Sequence, residues 1–233
     1  MLLQIKQVQL VLFSPGIIIS DKAKLAVKIS EELPALFNGD PVIPPMPEDA
    51  PLEIPRIVLK SKDERYVLQI SLKRVDFFYN SSPENSAIRF PVNGLYEKFI
   101  TISKCFSEET HCQFLRSAIV TQWIVELRKS GVEYIASNYL RKDIPFENPY
   151  NLEVHYLTKE SIAGCRVNKW VRVKTARRVS DPTQNNFLTV LIDINTVSDE
   201  KYKIDTKLLM QFLNGSSKFI EETMDRHFRN KGV

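Results

Sequence analysis

Three runs in the last third of the chain, "NLEVHYLT", "RVNKWVRVKTARRV" and "NFLTVLIDINTV", carry apolar residues at every second position and are separated by short polar stretches. Period two sends successive side chains to opposite faces, so each run reads as a strand with one buried side. The connections are too short for parallel crossovers, so the three predict an antiparallel meander. Asp205 then offers an N-cap to a long helix bearing Leu209, Phe212, Leu213, Ser216, Ile220 and Met224 on one side. Gly215, in "NGSS", is expected to weaken or break that helix.

The N-terminal part repeats this mixture. "QIKQVQLVLF" alternates as a strand with Ile5, Gln7, Gln9 and Val11 on one face. Ser20 or Asp21 can cap a helix whose stripe is Ala26, Ile29, Leu33 and Phe37, and Pro34 ends or kinks it. "PVIPPMPEDAPLEIP" follows, holding six of the chain's thirteen prolines. It reads as a stiff extended strap to the paired runs "IPRIVLKS" and "RYVLQISLKRVDFFY", in preference to a proline-rich ligand for a partner's groove. A helix is predicted near Leu95–Cys105, with Tyr96, Phe99, Ile102 and Phe106 on one face. Residues 107–130 read as helix and then strand.

These patterns predict an α+β protein: antiparallel sheets packed with helices in two related layers or lobes, closed by the meander and the C-terminal helix. No internal sequence repeat stands out. The polar loop "RKDIPFENPYN" is the expected boundary between an N-terminal lobe, 1–150 with its connector at 41–55, and a C-terminal unit, 151–233. At 233 residues one compact domain fits equally well.

Composition narrows the chemistry. A net charge of +4 from 32 basic and 28 acidic residues calls for no polyanionic partner. Three cysteines without paired spacing read as free thiols in a reducing compartment. No stretch has the form of a signal peptide or a membrane span, so a cytoplasmic location is expected.

Seven glycines leave little room for phosphate-cradling loops, and GxxxxGK[ST], GxGxxG and GxSxG are all absent. His111, His155 and His227 have no zinc-like spacing, so no metal or cofactor is expected. A Cys–His pair using Cys112 or Cys165 with His155 is outweighed by buried structural cysteines. Asp193 stands on the polar side of a hydrophobic strand, but the second carboxylate that a nuclease needs is missing. "DTK" at 205–207 lies at a helix start, where Asp205 already caps. No catalytic residue is assigned, and a non-enzyme is expected.

One patch has binding character. Arg166, Asn168, Trp170, Arg172 and Lys174 share a face, with Arg177 and Arg178 just beyond. Cations beside an indole suit single-stranded nucleic acid, and Trp with Arg equally suits a protein interface. The plainer expectation is the wet face of a half-buried sheet, with Trp170 covered by a neighbouring segment and Val167, Val171 and Val173 facing the core.

The strand–helix–connector order ending in "PVIPPMPEDAPLEIPRIVLKS", the run "YVLQISLKRVDFFYN" and the closing pair "FLTVLIDINTV" and "LLMQFLNGSSKFIEETMDRHF" resemble a sporadically distributed, uncharacterised family of bacterial proteins of about this length. The resemblance covers about half the chain and omits 107–151. It implies no catalytic residues. It does imply an accessory role, such as a component of bacterial defence or an antitoxin or immunity protein that binds a protein encoded nearby. Nucleic acid is the second partner, a membrane is not expected, and a homo-oligomer is compatible.

Overall fold

The computed structural model describes residues 2–47, 49–82, 90–92, 94–141, 149–178, 180–181 and 183–229. In chain order the elements are β1 (Leu2–Phe13), α1 (Lys22–Glu32), β2 (Ile57–Lys60), β3 (Tyr66–Ile70), β4 (Arg74–Asn80) and α2 (Leu95–Thr110). There follow β5 (Arg116–Glu126), α3 (Gly131–Tyr139), β6 (Glu153–Ile162), β7 (Cys165–Ala176), β8 (Phe187–Thr196) and α4 (Thr206–Met224). Among the described residues the strands form one antiparallel sheet of eight, in the order β2-β3-β4-β1-β5-β8-β7-β6. The α+β expectation holds.

The same plan occurs twice. Strand, helix, three-stranded meander, helix describes β1 to α2 and again β5 to α4, and the two halves meet along β1 and β5. Each meander returns its last strand beside the first strand of its own half. The second occurrence of the plan therefore begins with β5, directly after α2. Of the loop expected to mark a boundary, residues 142–148 lie outside the described residues.

The helices share one side of the sheet. Phe77 of β4 stacks on Phe99 of α2 at 6.1 Å, and Tyr96 of α2 hydrogen-bonds Ser217 of α4. Tyr134 of α3 stacks on Phe228 just after α4. Between helices and sheet lies the core, including Leu10, Leu12, Phe77, Phe99, Phe106 and Phe212. Asp21 and Asp205 cap α1 and α4 by accepting from Lys24 N and Leu208 N, as expected.

Four expectations are corrected locally. Ile5 faces the core, away from Gln7, because a bulge between them shifts the register of β1 against β5. "YVLQISLKRVDFFY" is two strands, since the Ser71 hydroxyl accepts from Lys73 N and Arg74 N and turns the chain. Helix α2 continues through Thr110 and stops at His111, whose φ of 51° ends the helical ladder. Helix α4 runs unbroken through Gly215.

The proline strap behaves as a strap. Val42 and Val58 exchange backbone hydrogen bonds at 2.9 Å, and Gly39 N donates to Lys60 O at 3.0 Å. Arg56, buried under the strap, donates to Ala50 O. The segment thus carries the chain from α1 back to the sheet and closes the edge of β2.

Candidate functional site: the helix-free face of the sheet

Among the described residues all four helices lie on one side of the sheet, and the opposite side carries none. Parity in β7 decides what stands there. Val167, Val171 and Val173 are buried towards the helices, while Arg166, Asn168, Trp170, Arg172 and Lys174 point the other way. Register places Trp170 between Leu157 of β6 and Asp193 of β8. Leu157 is 38% exposed, and Trp170 is partly exposed beside it. The same face continues through Leu191, Val120 and Gln122 to Gln9 and Phe78.

Two cations of this face, Arg166 and Lys174, are answered locally by carboxylates. Arg166 bonds Asp199 at 3.0 Å and also pairs with Glu200. Lys174 lies 3.6 Å from Glu153, which takes His155 Nε2 at 2.6 Å. The Arg172 guanidinium sits 5.8 Å from the Trp170 ring centre. Asp193 accepts from Asn195 Nδ2 at 2.9 Å, and Asn195 in turn accepts from Asn168. Burial pulls the Arg116 guanidinium down from its ordinary value, and the Asp193 charge opposes that shift. Four carboxylates, Glu153, Asp193, Asp199 and Glu200, therefore stand among the strand cations Arg166, Arg172 and Lys174.

Arg177 and Arg178 follow the end of the strand, each held against an aromatic ring. Arg177 stacks on Tyr150 at 3.8 Å and donates to its carbonyl at 3.0 Å, while Arg178 lies over Phe187 at 5.1 Å. They border a recess of about 400 Å³ at one end of the face, floored by Leu2, Ile124 and Phe187.

The catalytic alternatives are not assembled. Burial pushes the thiols of Cys105, Cys112 and Cys165 up, which disfavours the thiolate. Cys112 Sγ lies 2.9 Å from Ser14 Oγ, and Cys165 is buried on the core side of β7 while His155 stands on the opposite face, bonded to Glu153. Among the described residues no group of three or more His, Cys, Asp or Glu is placed to hold a metal ion. None of their helices is long and apolar enough to cross a membrane.

Sequence reasoning missed one polar cluster. Tyr139 Oη lies 3.2 Å from His227 Nδ1 and Tyr156 Oη lies 3.1 Å from Nε2, while Tyr134 donates to the His227 carbonyl. His227 thus joins both phenols through its two ring nitrogens, and its tautomer sets which phenol donates. Burial pushes both phenols up, so they stay protonated and the cluster ties the π-helical turn Asp225–Arg229 to α3 and β6. Nothing local in sequence announces it, because its members lie 71 and 88 residues from His227.

No protein-family model matches the chain, and no curated protein matches it either.

Proposed function

We propose that this chain is a non-enzymatic protein-binding module that seats a protein partner on the helix-free face of its sheet, around Trp170. The observation carrying this reading is the pairing of Arg166 and Lys174 with Asp199, Glu200 and Glu153 beside exposed apolar side chains. A phosphate backbone needs uncompensated cations in register with its charges. A protein interface favours an aromatic and an arginine in an apolar centre with charge settled at the rim. The setting, bacterial defence or toxin neutralisation, comes from the family resemblance.

The test is a tagged pull-down from the native host, with and without nuclease, using the wild type and Trp170→Ala. The expected result is one stoichiometric protein that survives nuclease and is lost with Trp170→Ala while the variant stays folded. Recovered nucleic acid without such a protein would move the assignment to nucleic-acid binding. In that case affinity would fall steeply with salt and on charge removal at Arg172 and Lys174.

A further inference from the structure

The two halves of the sheet end in equivalent strands, β2 and β6, and only one of these edges is closed. On β2 the outward backbone groups belong to Val58 and Lys60, and Val42 of the strap and Gly39 just before it bond them. That edge strand is four residues long. β6 has ten residues, contains no proline, and keeps an unbroken register with β7 from Glu153 to Ile162.

Which groups β6 turns outward follows from its pairing. Thr175 N donates to Leu152 O, and Ile162 and Cys165 flank a two-residue turn with φ of 52° and 80° at Ala163 and Gly164. In an antiparallel ladder this makes the even-numbered residues of β6 the ones bonded to β7. The N–H and C=O groups of Glu153, His155, Leu157, Lys159 and Ser161 then point to the free side. No described residue bonds them outside the β6–β7 ladder. Such a row is a template for another strand.

From this edge we infer that β6 pairs antiparallel with β6 of a second copy of this chain, about a twofold axis at Tyr156. The sequence of the strand selects both occupant and register. Centred on Tyr156, the pairing sets Glu153 opposite Lys159 of the second copy, twice, and His155 opposite Leu157, with every outward group facing an outward group. Centred on Leu157 it sets His155 opposite Lys159 and leaves Glu153 facing Ser161, with no carboxylate against the lysine. Opposite charges directly across a ladder stabilise it and like charges oppose it. The isologous contact closes on itself and joins two eight-stranded sheets into one.

The experiment is the full chain in sedimentation equilibrium over a wide concentration range, together with amide hydrogen exchange at low and high concentration. A dimer is expected, with exchange at residues 153, 155, 157, 159 and 161 slowing as it forms. Lys159→Glu sets glutamate against Glu153 at both ends and should weaken the dimer by at least tenfold. Glu153→Lys with Lys159→Glu restores opposite charges and should recover it. Both positions are exposed, so circular dichroism should be unchanged. A monomer at every concentration would overturn the inference. So would a dimer that ignores Lys159→Glu, or one that leaves those five amides unprotected.

Discussion

Gly215 of α4 lies so close to Ile162 of β6 that a Cβ built on the glycine would stand 2.5 Å from the Ile162 Cγ2 atom. A glycine inside a nineteen-residue helix is a liability of about 1 kcal/mol relative to alanine, and here the close approach explains it. Gly215→Ala should therefore lower stability by about 1–2 kcal/mol, because overpacking outweighs the gain in helix propensity. Adding Ile162→Ala should recover part of the loss, giving a coupling between neighbours that urea midpoints can read.

Lys169 is the one charged residue on the core face of β7, its side chain 5% exposed, with its ammonium 4.0 Å from the Phe219 ring centre and paired with Glu160. Glu160 is half-exposed, so desolvation falls mostly on the lysine. Lys169→Met should stay within about 1 kcal/mol of wild type, since replacing a buried pair by packed apolar volume is often neutral or favourable. Glu160→Gln leaves the cation without its carboxylate and should cost about 1–2 kcal/mol, less than for a fully buried pair. Combining the two changes should cost less than Glu160→Gln alone. Thermal or urea unfolding of the three variants checks the order.

How much of this was legible depends on the distance between cause and effect. Period two in "RVNKWVRVK" is local, and it placed Trp170 and Arg172 on the open face correctly. The same alternation sends Lys169, which the sequence reading passed over, to the side of the valines, and a lysine tolerates that side because of Phe219, fifty residues away. The acids that answer Arg166 come from the loop after β8 and cannot be paired with it from spacing. Helix α3 escaped notice because it is nine residues long and opens on Gly131, although Ser130 is a proper N-cap. The repeated plan is invisible in sequence because what repeats is the order of elements and the strand pairing. It shows that "AIVTQWIVEL", read only as a strand, is the counterpart of the first strand of the chain.

Two aspartates should bend the pH dependence of stability in opposite senses. Burial pushes the Asp76 carboxyl above its ordinary 3.8, against the pull of Arg74 at 2.8 Å and of the Gln9 amide. The folded state then binds that proton more tightly than the unfolded one. Its contribution falls as pH rises from 3.8 through the raised value and is level beyond. Asp63 runs the other way, held at about 2 by the Ser61 hydroxyl and by Arg65. It adds stability above 3.8 that disappears as pH drops towards 2. Urea midpoints against pH should lose the first slope in Asp76→Asn and part of the acid slope in Asp63→Asn. Identical profiles for Asp76→Asn and wild type would contradict the assignment.

The strap makes the last comparison, through two glycines in the same half of the chain. A Cβ at Gly39 would lie 2.8 Å from the Lys60 carbonyl oxygen, the group that Gly39 N bonds. A Cβ at Gly16 would meet nothing within 4 Å. Gly39→Ala must therefore lift the strap from β2, and the Val58 amide, which donates to Val42 O, should exchange faster. Gly16→Ala should leave Val58 unaffected and be neutral or stabilising by less than about 1 kcal/mol, because it only narrows the unfolded ensemble. With the strap raised, β2 presents the same kind of open row as β6. Gly39→Ala should then form species larger than any seen for wild type at equal concentration. Unchanged Val58 exchange would show that the strap does not guard that edge.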